Sequence, residues 1–328
     1  MVKKIRKISV KIIIIIIFTL AAQFVLPVLL SCKNNGQGTN EMSSSELSGN
    51  SAAAKTILNI TVSIPPQAEF VEEIGGSNVI VTVLVPPGAD PHTFELKPSQ
   101  MKSLDATDAY FALGSGIEFE IVWMDKITGL NRDMPVYNCS ENIKFISGSG
   151  EQAISEFEGS DSTKGNDPHI WLSLKNAMII SENIYNGLTE LDPENKQYYY
   201  SNKVAYQKKL SDLDKIMEES LKNIKNKKFI VYHSAWKYFA RDYGLQEISI
   251  ESSGKEPTAE KLKQVIDLAV QNNIRVIFAS PQFSLKSAAV IANETGAEIV
   301  LVDPLDRNYL ANMKKVSEDF RKIFNPGK

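Results

Sequence analysis

The sequence predicts an α/β protein of two lobes, each a mostly parallel sheet flanked by helices, with one long rigid helix joining them. Two observations carry that expectation. Short β-branched runs alternate with helical segments in both halves of the chain, and such alternation builds parallel sheets with helical crossovers. Between the halves, Tyr206, Leu210, Leu213, Met217, Leu221 and Ile224 recur every three or four residues, the stripe of a single amphipathic helix.

The first 31 residues stand apart from this pattern. Lys3, Lys4, Arg6, Lys7 and Lys11 form a basic start, and an apolar run extends from Ile12 to Leu30. A charged start, an apolar stretch and a small residue before a cysteine make a secretory signal. The run is also long enough to span a bilayer, so an uncleaved anchor is the alternative. Residues 29–32, LLSC, resemble a bacterial lipobox, which places cleavage before Cys32 and lipid on that cysteine. Either reading puts the remainder outside the cytoplasm, held to the membrane, at a cell surface or in a periplasm. Residues 32–55 then form the lipidated cysteine and a tether, because Ser, Asn, Gly and Ala without bulky apolar residues cannot bury a core.

Composition narrows the partners. Removing the five cations of the signal takes the formal charge from −3 to −8. A surface of that sign excludes nucleic acid and an electrostatic grip on anionic lipid. After Cys32 only Cys139 remains, so no internal disulfide is available, and its setting in MPVYNCS is that of a buried small hydrophobe.

The N-terminal lobe is expected at 56–193. TILNITVSI (56–64) and NVIVTVLV (78–85) flank the helical PPQAEFVEEIGG, and DAYFAL (108–113) precedes the helical IEFEIVWMDKI. Over about 147–167 the chain turns acidic and rich in Gly and Ser, which reads as a loop. WLSLKNAMIISENIYNGL is helical again. Asp192-Pro193 offers an N-cap and a first-turn proline for the linking helix at 194–227, a strut of roughly 50 Å. The C-terminal lobe, 228–328, repeats the strands at KFIVY (228–232), LQEISI (245–250), RVIFA (275–279) and EIVLV (298–302).

The chain has three histidines, and two of them follow the same Asp-Pro step, in ADPHTFE at 89–95 and NDPHIWLS at 166–173. In open α/β sheets ligands bind outside the carboxyl ends of the strands. His92 lies seven residues past Val85, His233 directly follows KFIVY, Asp303 directly follows EIVLV, and His169 leaves the acidic loop. If the strand ends of the two lobes face each other, all four side chains point into one cleft. Three imidazoles and a carboxylate are a tetrahedral set for Zn²⁺, and imidazole suits zinc, copper, iron or nickel better than it suits manganese. Proline stiffens each approach, and Asp90, Asp167 and Glu95 stand near enough to orient rings or offset charge. Spacing alone leaves the opposite reading open: the histidines are widely separated, and Asp303 could equally cap a helix starting near Arg307.

Five segments, GADPHTFELKPSQ, DPHIWLSLKNA, VYHSAWKYFARDYGL, EPTAEKLKQVIDLAVQNNIRVIFASPQFS and AEIVLVDPL with the following NYLANM, together resemble the zinc- and manganese-binding receptors of ABC transporters. The resemblance runs from about Leu58 to the C-terminus. It implies two α/β lobes on one long helix, metal ligands at His92, His169, His233 and Asp303, no enzymatic activity, and capture of Zn²⁺ for a membrane permease by a monomer anchored through lipid on Cys32. Histidine at 233 is the zinc-type choice, since manganese-type members tend to carry glutamate there; a manganese or iron receptor of the same family is the alternative. Three departures stand out: the loop at 147–166 has no histidine, the second lobe has no cysteine pair, and Ser280 stands where glutamate is common.

Two other classes compete. His92-Thr-Phe-Glu95 imitates the H-x-x-E of a zinc hydrolase, and surface display is also compatible with an adhesin. A catalytic zinc keeps an open position for water, whereas a fourth protein ligand closes the shell. Glu95→Gln separates the classes: a receptor retains most of its zinc affinity in a competition titration, and an H-x-x-E ligand set loses it.

Overall fold

The computed structural model describes residues 57–147, 165–224, 226–251 and 255–324. The signal at 1–31, Cys32 with its tether, and the centre of the acidic loop lie outside them. Both lobes belong to one compact unit, Ala54–Lys328.

The first sheet contains β1 (Leu58–Val62), β2 (Val79–Val83), β3 (Ala109–Ala112) and β4 (Val136–Asn138), in the order β2-β1-β3-β4. All its pairs are parallel. The second contains β5 (Lys228–Val231), β6 (Gln246–Ser249), β7 (Val276–Ala279) and β8 (Glu298–Leu301), in the order β6-β5-β7-β8, again wholly parallel. The lobes therefore repeat one topology. The two α/β lobes and seven of the eight strands match the sequence reading. Strand β4 escaped it because three residues are too few to establish an alternating pattern.

Helices α1 (Pro65–Gly75), α2 (Pro98–Ser103), α3 (Glu118–Leu130) and α4 (Leu174–Leu191) flank the first sheet. Helices α6 (Lys237–Tyr243), α7 (Ala259–Gln271), α8 (Lys286–Thr295) and α9 (Tyr309–Phe324) belong to the second lobe. The linking helix α5 is Lys196–Leu221, 26 residues and so about 39 Å long, shorter than the expected 194–227. At its start Pro193–Asn195 forms a separate 3₁₀ turn. Asp192 does not cap the backbone; its Oδ2 accepts from Asn195 Nδ2 at 2.7 Å and from the Tyr199 hydroxyl at 2.6 Å. At its end Asn226 bonds Asn272 O and the Lys228 amide, which draws the chain into β5 and ends the helix early. Among the described residues no helix is long and apolar enough to cross a membrane.

The helix is a shared spine rather than an isolated strut. It packs against α1, α4 and α9, and Tyr199, Tyr206, Leu210, Leu213, Met217 and Leu221 are buried along it. One hydrophobic core runs through both lobes, from Ile60 and Phe70 to Phe278 and Phe320. The second sheet divides this core from a smaller one by the two-residue period of its strands. Phe229, Val231, Val276 and Phe278 face the shared core, while Ile230, Tyr232, Ile277 and Ala279 face a separate cluster with α7 and α8.

Reciprocal hydrogen bonds bolt the lobes together. Trp171 Nε1 donates to Pro304 O at 2.7 Å, and the Tyr309 hydroxyl donates back to Trp171 O at 2.8 Å. The Tyr238 hydroxyl donates to Asp167 O at 2.8 Å and accepts from the Ile146 amide at 3.1 Å, which fastens the neck of the acidic loop to α6. Tyr309 is fully buried, so Tyr309→Phe leaves the Trp171 carbonyl without its donor. The expected cost is about 1–3 kcal/mol, measured as a lower urea midpoint at unchanged slope.

Candidate metal centre

Every loop at the carboxyl edge of the second sheet contributes a side chain to one region. His233 follows β5 by two residues, Glu251 follows β6 by two, Gln282 follows β7 by three, and Asp303 follows β8 by two. From the first lobe come His92, on the loop after β2, and Glu118, the first residue of α3 after β3. The turn into α3 depends on Gly114 at φ +71°, where an added Cβ would run into Asn138. His169 enters from the acidic loop and is buried against Trp171, with ring centroids 5.3 Å apart.

The three imidazoles meet. His169 Nε2 lies 3.1 Å from His92 Nε2 and 3.1 Å from His233 Nε2, and the three ligand atoms all fall within 4.8 Å of one another. An ion bound tetrahedrally at about 2.0–2.1 Å from each nitrogen sets N–N separations of about 3.3–3.4 Å, so the three nitrogens stand within a few tenths of an ångström of the spacing a shared ion requires at His169. Phe283 stacks on His233, with ring centroids 4.7 Å apart, and Pro91, Trp171, Pro304 and Leu305 complete a largely apolar wall.

Each ring is turned inward by a carboxylate on its other nitrogen. Glu118 Oε2 lies 2.6 Å from His92 Nδ1, Asp167 Oδ1 3.0 Å from His169 Nδ1, and Glu251 Oε1 2.6 Å from His233 Nδ1. With Nδ1–H donating outward, each neutral imidazole presents its Nε2 lone pair to the centre. Three lone pairs converging at such distances repel unless a cation sits among them.

The two DPH copies share one backbone device. His92 N donates to Asp90 Oδ1 at 3.0 Å, and His169 N donates to Asp167 Oδ1 at 2.9 Å. Each aspartate thus clasps the histidine two residues on, with proline fixing the intervening φ. Only Asp167 also reaches its ring. Asp90 holds the backbone, and Glu95, expected near the ring of His92, is exposed while Glu118 takes that place.

Asp303 sits at the edge of the site. Its Oδ1 accepts from Gln282 Nε2 at 2.7 Å and from the Leu305 amide at 2.9 Å. It is not among the ligand atoms that cluster within 4.8 Å, which among the described residues are those of the three histidines. Nor does it cap α9, which begins at Tyr309. Cys139 is buried, as expected, and burial pushes its thiol far above the ordinary range. Glu118, Glu251 and Gln282 were missed in the sequence. Glu251 and Gln282 carry the positional signal that identified His233 and Asp303, since each stands within three residues of a strand's carboxyl end.

The rings differ electrostatically. Burial lowers the pKa of His169 to about 4, against the opposing pull of Asp167. Burial also disfavours charge on His92, but the Glu118 contact outweighs it and the pKa rises. Glu118 and Asp167 are themselves lowered: burial opposes this, and their histidines prevail.

Fold and site together define a two-lobed, parallel-sheet protein of the solute-binding class, with three imidazoles that could hold a metal ion. A family profile described as "Zinc-uptake complex component A periplasmic" matches residues 60–323, and the chain belongs to that family. It is 30% identical over 293 residues to the high-affinity zinc uptake system protein ZnuA of Bacillus subtilis (strain 168), covering 88% of each chain. It is 26% identical over 273 residues to the zinc-binding lipoprotein AdcA of Streptococcus pneumoniae (strain ATCC BAA-255 / R6), with 79% of this chain matching 54% of that longer protein. A crystal structure of ZnuA superposes with a TM-score of 0.75 at 39% identity, covering 82% of this chain and all of that one.

His169 sets a stability profile for the metal-free protein. Between about pH 6.5, where an unfolded histidine titrates, and about 4, where the folded one does, the unfolded chain binds a proton that the native state excludes. Stability from this group is therefore present above the unfolded pKa and falls as pH drops through that window, with His92 acting in the opposite sense. His169→Gln is expected to flatten the acid limb, measured as urea midpoints between pH 4.5 and 7.5 in chelator.

Proposed function

We propose that this chain is an extracytoplasmic receptor that captures Zn²⁺ in its inter-lobe cleft and hands it to the permease of an ABC transporter for uptake. The observation that carries the reading is the convergence of three Nε2 atoms, each backed by a carboxylate on Nδ1. The names of relatives, a zinc uptake system protein and a zinc-binding lipoprotein, support zinc as the cargo. Nitrogen-rich coordination favours zinc over manganese on ligand softness as well.

In this reading His92, His169 and His233 bind the ion, and the fourth position falls to the Gln282–Asp303 side of the cavity. Asp167, Glu118 and Glu251 orient the rings and supply three negative charges around a dication. Asp90 and Pro91 shape the approach of His92. The protein acts as a monomer, tethered through lipid on Cys32, while ATP hydrolysis occurs on other subunits. The shared core and the Trp171–Pro304 bolt support loading with little rotation of one lobe against the other.

Metal-free full-length protein titrated with zinc against a competing chelator is expected to bind one ion per chain. Its melting temperature rises with zinc and returns on chelation. His169→Ala loses tight binding, and His233→Glu narrows the preference for zinc over manganese. A wild-type protein indifferent to zinc, or a His169→Ala variant that binds as tightly as wild type, would falsify the proposal.

A further inference from the structure

Of the three carboxylates that back the rings, Glu118 is exposed, while Glu251 and Asp167 are buried. Asp167 faces two ways. Its Oδ1 accepts from the His169 amide and meets the ring at Nδ1. Its Oδ2 lies 3.6 Å from Lys237 Nζ, an ion pair rather than a hydrogen bond. Among the described residues, neither Glu118 nor Glu251 forms an ion pair with a lysine or arginine. Lys237 opens α6, where a cation opposes the helix dipole, so the helix itself gives no reason for positive charge there. A second carboxylate, Glu247, also feels Lys237, but it is already held by Ser234 Oγ at 2.5 Å and the Trp236 amide at 2.6 Å, and burial pushes its pKa up to about 7.

A buried carboxylate needs a positive partner in both states of the site. With zinc in the cleft, the ion supplies that charge through the His169 ring. With the cleft empty, the ring is neutral and Lys237 remains. We propose that Lys237 stands in for the cation in the metal-free protein, balancing Asp167 and opposing the arriving dication, and so sets zinc affinity below what the three carboxylate-backed imidazoles would otherwise reach. The inference rests on the reading of this cavity as a zinc site. One carboxylate and one ring separate the ammonium from the centre, close enough for like charges to be felt in a largely apolar surround. Lys237 is 28% exposed and keeps part of its own hydration, whereas Asp167 at 2% has almost none. For a protein that must release its cargo, part of the attraction is cancelled by a charge that never leaves.

The test compares Lys237→Gln and Lys237→Arg in full-length protein, reading zinc affinity by chelator competition and the urea midpoint of the metal-free form. Lys237→Gln is expected to tighten zinc about 3–10-fold. It also lowers the metal-free midpoint by more in the wild-type background than when combined with Asp167→Asn. Lys237→Arg keeps the charge and with it the wild-type affinity. A lysine that only supported the fold would, when replaced, weaken zinc binding together with stability. Unchanged or weaker zinc binding in Lys237→Gln overturns the inference. So does a metal-free midpoint that responds equally with and without Asp167→Asn, or an arginine variant that tightens zinc as the glutamine variant does. Failure of the zinc-site reading is distinguishable, since wild type would then bind no zinc at all.

Discussion

The centre is organised by a simple opposition within each imidazole: one nitrogen is claimed by a carboxylate, so the other must face the cleft. Glu118, Asp167 and Glu251 come from three different elements, and each meets a different histidine. The result is a ring of negative charge outside a ring of neutral donors. Three neutral imidazoles bring no charge to offset a dication, in an apolar setting where uncompensated charge is expensive. The outer carboxylates resolve that balance. They also fix the tautomers, so each neutral ring already turns its Nε2 lone pair to the centre.

The repeated sheet order explains why these groups converge. In both lobes the order reverses beside the first strand, β1 or β5, and loops leaving neighbouring carboxyl ends there diverge to opposite faces, leaving a crevice. Setting two such crevices opposite each other brings loop side chains from both halves into one space. Keeping His169 at 3.1 Å from both His92 and His233 requires lobes that do not drift. The continuous core along α5 and the crossed Trp171 and Tyr309 hydrogen bonds provide that constraint.

Much of this was legible in the sequence, for identifiable reasons. Strand runs such as KFIVY and EIVLV announce themselves by composition, and the loop positions just beyond them located His233 and Asp303. Hidden features were those that depend on tertiary pairing. Strand β4 is three residues long and exists through its partner β3. The limits of α5 are set by Asn226 reaching Asn272, a contact 46 residues distant. Glu118 and Glu95 are equally plausible neighbours of His92 by type, and only the placement of α3 selects the former. In the DPH repeat the sequence suggested aspartates that orient the rings; both bond the backbone of the histidine two residues on, and only Asp167 also meets the ring.

The second sheet is a partition with unequal rooms on its two sides. His169 packs on Trp171 of the larger one, which extends through the spine into the first lobe. Phe283 packs instead with the smaller cluster beneath α7 and α8, and Gln282 is its immediate neighbour in the chain. Fewer buried residues hold that outer layer, the condition under which local opening costs least. Loosening there would lift Phe283 from the His233 ring while leaving the hydrogen bonds of His92 and His169 to Glu118 and Asp167 untouched. The ring of His233 is thus packed from the smaller room, while the crossed Trp171 and Tyr309 bonds hold the two lobes to each other.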